Sequence, residues 1–130
     1  MLSVGQSPIV IVGTGLAGYN LAREYRKLNS STPLVMITND DGRMYYKPAI
    51  STGYHRQQTP DQLASASTEE MAQQLQADIQ VFTTIESIDI NNQTVRTSKG
   101  QTHYTKLILA TGARCIELPM TGSGLDSVYS

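Results

Sequence analysis

The chain has 130 residues, room for one modest domain around a single core. Hydrophobic residues make up 39% and the formal net charge is −1, which excludes an electrostatic case for nucleic acid or an acidic membrane surface. The one cysteine, Cys115, has no partner for an internal disulfide and reads as a structural thiol, and no Cys/His cluster has metal-ligand spacing. No basic-then-apolar leader and no apolar run long enough to span a bilayer are present, so the expected location is cytoplasmic.

Residues 1–7 read as a polar lead. Ile9-Val10-Ile11-Val12 is a continuous β-branched run, the pattern of a strand covered on both faces in a parallel sheet. From Leu16 to Leu28 the period becomes helical, with Ala17, Leu21, Tyr25 and Leu28 on one face and Arg23, Glu24, Arg26 and Lys27 elsewhere. Asn29 to Pro33 ends that helix, and Leu34-Val35-Met36-Ile37 is a second buried strand, completing a βαβ unit. Residues 39–60 are loop-like and longer than an ordinary connection. Ser67-Thr68-Glu69-Glu70 is a helix start, followed by Met71, Ala72 and Leu75. Ile79–Phe82, Ile85–Ile90, Thr94–Thr97 and Thr102–Tyr104, with turns at Asn91-Asn92 and Lys99-Gly100, read as a small antiparallel meander. Leu107-Ile108-Leu109-Ala110 is a third buried strand ending at Thr111-Gly112, and the tail from Pro119 shows no period.

Gly13-Thr14-Gly15-Leu16-Ala17-Gly18 matches G-x-G-x-x-G between a buried strand and an amphipathic helix, the context that gives this short pattern meaning. Gly13 permits the tight turn, Gly15 lets a pyrophosphate approach the backbone, and Gly18 lets the helix pack closely. The helix N–H groups and positive dipole end then face the phosphates, with the Thr14 hydroxyl as a further donor. The second strand ends Thr38-Asn39-Asp40-Asp41, with Asn39 where an acid usually accepts from the ribose. Asn39 or Asp40 is placed to reach a ribose; equally, Asp40-Asp41-Gly42 is a plain turn. Ala110-Thr111-Gly112 ends the third strand with small residues that admit a cofactor or another backbone to the crevice of the sheet. Lys47, in Tyr45-Tyr46-Lys47-Pro48, reads as a surface lysine or as a cation near the cofactor. His55 and His103 read as surface residues, and no nucleophile–base pair supports hydrolysis.

Together, Ile9 to Asn20, Asp40-Asp41-Gly42-Arg43, Tyr46-Lys47-Pro48, Ser51-Thr52-Gly53 and Leu107 to Gly112 resemble the FAD-dependent pyridine nucleotide–disulfide oxidoreductase superfamily. The redox Cys pair of its disulfide-reducing branches is absent, so the resemblance points to the branch that reduces rubredoxin or ferredoxin.

The resemblance implies an α/β fold: a Rossmann-like FAD-binding βαβ unit with a parallel sheet and a small antiparallel β-meander. It implies that residues 1–130 are the N-terminal portion of an FAD-binding domain, with an NAD-binding domain and a C-terminal domain beyond them. Thr14 to Ala17 would hold the pyrophosphate and Thr38 and Asn39 would lie by the adenosine ribose. Lys47 would contact the cofactor on its way to the flavin. Ile85 would touch the adenine through its backbone, and Thr111 and Gly112 would support FAD. The implied activity is hydride transfer from NADH to FAD and single-electron transfer to rubredoxin or a similar small iron carrier, with no activity or a weak one in this segment alone. A stand-alone dinucleotide-binding module, and a reductase of ferredoxin or flavorubredoxin, are the competing readings.

Overall fold

The structure is a computed structural model that describes residues 6–45, 53, 55–57, 59 and 64–113. Its centre is a four-stranded parallel sheet of β1 (Ile9–Val12), β2 (Leu34–Ile37), β5 (Ala77–Gln80) and β9 (Lys106–Leu109), in the order β5-β2-β1-β9. Two helices, α1 (Leu16–Leu28) and α2 (Thr68–Leu75), complete the α/β unit. A two-stranded ribbon joins β3 (Met44–Tyr45) to β4 (Ala64–Ala66). The antiparallel meander is β6 (Ile85–Asp89), β7 (Thr94–Thr97) and β8 (Gly100–His103).

Three layers follow from the two-fold alternation of the strands. Ile9, Ile11, Leu34 and Met36 face the helices, where they meet Tyr19 and Ala22 of α1 and Met71 and Leu75 of α2. Val10, Val12, Val35 and Ile37 face the meander and meet Val95 and Tyr104. With both faces covered, β1 and β2 are buried at every position, as their continuous apolar runs require.

The phase of α1 departs from the expectation. Its buried residues are Gly18, Tyr19 and Ala22, whereas Leu21 is 39% and Leu28 88% exposed. Ala17 is also exposed, and of the expected face only Tyr25 packs, in part, against the core. A close contact overrides the leucine periodicity: a Cβ on Gly18 would lie 2.1 Å from the Gly13 carbonyl oxygen, so this glycine must face the sheet. Everything else on the helix follows its rotation.

The expected meander also loses its first strand. The strand expected at Ile79–Phe82 is β5, which pairs in parallel with β2 through Leu34 opposite Ala77 and Ile37 opposite Gln80. Phe82 lies beyond it, in the left-handed region (φ +48°) and 66% exposed. An alternating apolar pattern marks a strand without naming its partner. The strand expected at Thr102 begins at Gly100. β9 has one neighbour in the described sheet, and Leu109 is 61% exposed, so this strand is half-covered rather than buried. Lys47, Cys115 and the tail from Pro119 lie outside the described residues.

Local signals hold α2 in place. The Ser67 hydroxyl accepts from Glu70 N (3.2 Å) and the Glu70 carboxylate accepts from Ser67 N (2.8 Å), the reciprocal box expected from the Ser-Thr-Glu-Glu start. Arg26 then ties the carboxyl ends of both helices together. It donates to the carbonyls of Leu75 (2.5 Å), the last residue of α2, and Gln76 (3.1 Å), its C-cap, and to Asn29 (3.2 Å) and Thr32 (2.8 Å) after α1. A cation at two helix C-termini complements both dipoles and satisfies carbonyls that the helices leave open.

Arg26→Met is expected to lower unfolding stability by about 2–3 kcal/mol, because several charge-assisted bonds to carbonyls are lost together. Lys27→Met, whose pair with Glu24 is 68% and 67% exposed, is expected to change it by less than about 0.5 kcal/mol. Urea midpoints of the two variants check this contrast. Gly18→Ala is expected to lower unfolding stability by about 1–3 kcal/mol through steric overlap with the Gly13 carbonyl, and an unchanged urea midpoint would contradict the contact.

Candidate dinucleotide site

The register places the carboxyl ends of three strands level, with Val12 opposite both Ile37 and Leu109. Pairing continues one residue further: Gly13 N donates to Ile37 O and Ala110 N donates to Val12 O, both at 2.8 Å. From β1 the chain leaves through α1 to β2 on one side, whereas β9 lies on the other side. A crevice opens at such a switch point in an open α/β sheet. Here it is a cavity of about 720 Å³.

The three glycines of the turn have separate roles. Gly13 has φ +110°, and a Cβ there would lie 2.1 Å from Ala110 O, so this glycine brings the first turn against the end of β9. Gly18 seats the helix on Gly13 and does not line the cavity. Gly15 faces open space, with nothing within 4 Å of a built Cβ. It is also the N-cap of α1, with no side-chain cap bond and no acid in the first helical turn. The first N–H groups of α1 therefore have no side-chain acceptor and lie beside the cavity wall formed by Gly15, Leu16 and Ala17. An anion fits such a cradle, and the space beside Gly15 admits a phosphate against the backbone.

The opposite wall is the loop after β2. Thr38, Asn39 and Asp40 line the cavity. The Asp40 carboxylate oxygen Oδ1 accepts from Thr38 Oγ1 (2.8 Å), Gly42 N (2.8 Å) and Thr14 Oγ1 (3.4 Å). Asp40 thus builds the turn that its sequence allowed, and the Thr14 hydroxyl is turned toward it. Asn39 is exposed at the rim. Arg43 also lines the cavity and is held by Asp41, through its backbone N–H (3.1 Å) and Nε (2.7 Å). The Arg43 backbone N–H, with its guanidinium, holds the Asp41 carboxyl below the usual carboxylate range against the opposing effect of burial. Beneath the loop, the buried Tyr19 hydroxyl donates to the Gly42 carbonyl. Burial, with Asp40 and Asp41 nearby, pushes its pKa up to about 12, so it remains a donor across the physiological range.

Thirteen of the candidate residues can be placed. Gly13, Thr14, Gly15, Leu16, Ala17, Thr38, Asn39, Asp40, Ile85, Ala110, Thr111 and Gly112 come together around one cavity, and Gly18 supports it from outside. Sequence reasoning missed Val12, Ile37, Leu109, Arg43, Thr83 and Thr84. The first three are the last residues of level strands, which the two-residue alternation marks once the register is known. Thr83 and Thr84 follow from the move of β5 into the main sheet, which brings the connection to Ile85 over the crevice. Among the described residues no helix is long and apolar enough to cross a membrane, and no cluster of His, Cys, Asp or Glu is arranged to hold a metal.

Comparison with known proteins agrees with this geometry. Residues 7–129 match the pyridine nucleotide-disulphide oxidoreductase family. Over 95% of its length the chain is 44% identical to the rubredoxin-NAD(+) reductase of Alcanivorax borkumensis and covers 32% of that protein. It is 36% identical to the nitric oxide reductase FlRd-NAD(+) reductase of Aliivibrio fischeri, again over 95% of the chain and 32% of the relative. The covalent putidaredoxin reductase–putidaredoxin complex superposes with a TM-score of 0.76 at 28% identity, covering 87% of this chain and 27% of that one. The chain thus spans about a third of the length of these relatives. A level three-strand crevice, a glycine turn leading into an uncapped helix and a family match across nearly every residue coincide, and the chain belongs to the pyridine nucleotide-disulphide oxidoreductase family.

Proposed function

We propose that residues 1–130 are the N-terminal portion of the FAD-binding domain of an NADH-dependent flavoprotein reductase. In this reading the gene product that contains them passes electrons to rubredoxin or a similar small iron carrier in the cytoplasm. The observation that carries the reading is the first turn of α1, which has no cap and opens on a cavity at Gly15. Family membership supports a flavin. So does the cavity wall, since the Thr83–Ile85 connection into the meander and the Ala110–Gly112 strand end enclose more than a phosphate turn. The 44% identity to a rubredoxin-NAD(+) reductase supports the acceptor. A flavorubredoxin is the second reading, supported by the 36% identity to an FlRd-NAD(+) reductase.

Each residue then has a task. The backbone N–H groups of Leu16 and Ala17, reinforced by the α1 dipole, bind the pyrophosphate. Gly13 and Gly18 keep that turn in position, and Gly15 keeps its approach open. Thr38 and Asn39 lie by the adenosine ribose, and the Ile85 backbone meets the adenine. Ala110, Thr111 and Gly112 flank the cofactor where β9 ends. Lys47, outside the described residues, joins this set through the family resemblance. When bound, FAD supplies two-electron acceptance and one-electron release, which suits transfer from a hydride donor to an iron protein. No catalytic residue is assigned in this segment.

The complete gene product is expected to purify yellow, with flavin absorbance, and to oxidise NADH. A colourless protein that takes up no added FAD would refute the flavin. FAD binding without NADH oxidation would leave a dinucleotide-binding module in place of a reductase. Gly15→Val is expected to abolish FAD binding while leaving the urea midpoint nearly unchanged, because the side chain enters open space rather than protein. Retained binding in that variant would show that the turn is not the pyrophosphate site.

A further inference from the structure

A dinucleotide fold commonly places an acid at the end of its second strand to accept from the adenosine ribose; here Asn39 stands at that position and Asp40 follows it. One carboxylate oxygen of Asp40, Oδ1, is engaged by the protein itself. Two buried hydroxyls, Thr14 (4% exposed) and Thr38 (5% exposed), both donate to the same Asp40 oxygen that also receives the Gly42 N–H. Buried hydroxyls need acceptors, and no other acceptor is given to either of them by the described residues. The loop around Asp40 is held from three sides. The carbonyl of Asp40 accepts from Phe82 N (2.9 Å), that of Asp41 from Thr68 Oγ1 (2.6 Å), and that of Gly42 from the Tyr19 hydroxyl. The donors come from the β5–β6 connection, from α2 and from α1. A Cβ on Gly42 would lie 2.9 Å from Val81 and 3.1 Å from Thr68, so the loop packs closely on the β5–β6 connection and on α2. Asn39 and Asp40 are both exposed at the cavity, but Asn39 makes no side-chain hydrogen bond to the described residues, whereas Asp40 Oδ1 accepts three.

We propose that Asp40 is a positioning residue: its Oδ1 links the Thr14 hydroxyl of the phosphate turn to the adenosine loop at Thr38 and Gly42, and it makes no contact with the ribose. It acts on the cofactor through the shape of the cavity, and the ribose side of the site is left to the neutral amide of Asn39. This role rests on the FAD reading above and adds to it which group sets the cavity and which meets the ligand.

Fluorescence titration of the apo gene product tests it with two ligands: FAD, and FAD lacking the 2′-hydroxyl of its adenosine ribose. Asp40→Ala is expected to weaken both ligands by the same factor, about tenfold, since a lost acceptor disorders the turn whatever the ribose carries. Asp40→Asn keeps an acceptor oxygen and is expected to restore most of both affinities. Thr14→Val is expected to weaken both ligands equally, and adding it to Asp40→Ala is expected to cost less than the sum of the two. A variant Asp40→Ala that loses affinity for FAD alone, so that it binds the two ligands equally, would show a direct ribose contact and overturn the proposal. So would unchanged affinity for both. Should Asp40→Ala not fold, Thr14→Val decides: an equal loss with both ligands supports the link and no loss refutes it. If the unmodified protein binds neither ligand, the FAD reading itself fails, and this role with it.

Discussion

The arrangement depends on one close approach of backbone to backbone. The Gly13 turn touches Ala110 on one side and receives Gly18 on the other, and a Cβ at either glycine would lie 2.1 Å from a carbonyl oxygen. The first contact brings the ends of β1 and β9 together. The second sets the rotation of α1 and therefore which of its residues are buried. Neither contact involves a ligand, yet both decide where the uncapped first turn of α1 points. Gly15 is the glycine left facing open space, and the division of labour among the three follows from what surrounds each.

Much of this was legible in the sequence. The two continuous apolar strand runs, the change of period after Gly15, the Ser67–Glu70 helix start and the strand end at Ala110-Thr111-Gly112 all appear where the residues indicate. These features are local, and local chemistry is what a sequence shows directly. The parts that did not read correctly are non-local. Leu21 and Leu28 mark an apolar face by period, but the Gly13–Gly18 contact turns that face outward. Ile79 and Val81 mark a strand, but the choice between β2 and the meander as partner depends on the whole sheet. Leu109 belongs to an apolar run typical of a covered strand, although in the described sheet nothing lies beside β9 on its far edge.

The same distinction holds at the site. The glycine turn was readable because its physics is carried by consecutive residues. Asp40 was not, because an aspartate after a strand serves equally well as a ribose acceptor and as a turn former. In the fold its Oδ1 accepts from Thr38, Gly42 and Thr14, the last 26 positions earlier in the chain, so it serves the turn. Arg43, Thr83 and Thr84 were missed because their place in the cavity follows from the path of the β2 loop and from the transfer of β5 to the main sheet. Arg26 was read only as part of a polar face, yet it binds carbonyls at the ends of two helices. In each case the residue type was visible and the partner was supplied by the fold.

The central claim is that the α1 N-terminus is the phosphate-binding end of a flavin site. A crystal structure of the gene product loaded with FAD tests it most directly. The account expects the pyrophosphate oxygens within hydrogen-bond distance of the Leu16 and Ala17 backbone nitrogens, seated over Gly15. A bound dinucleotide that leaves those N–H groups to water or to protein acceptors would contradict it.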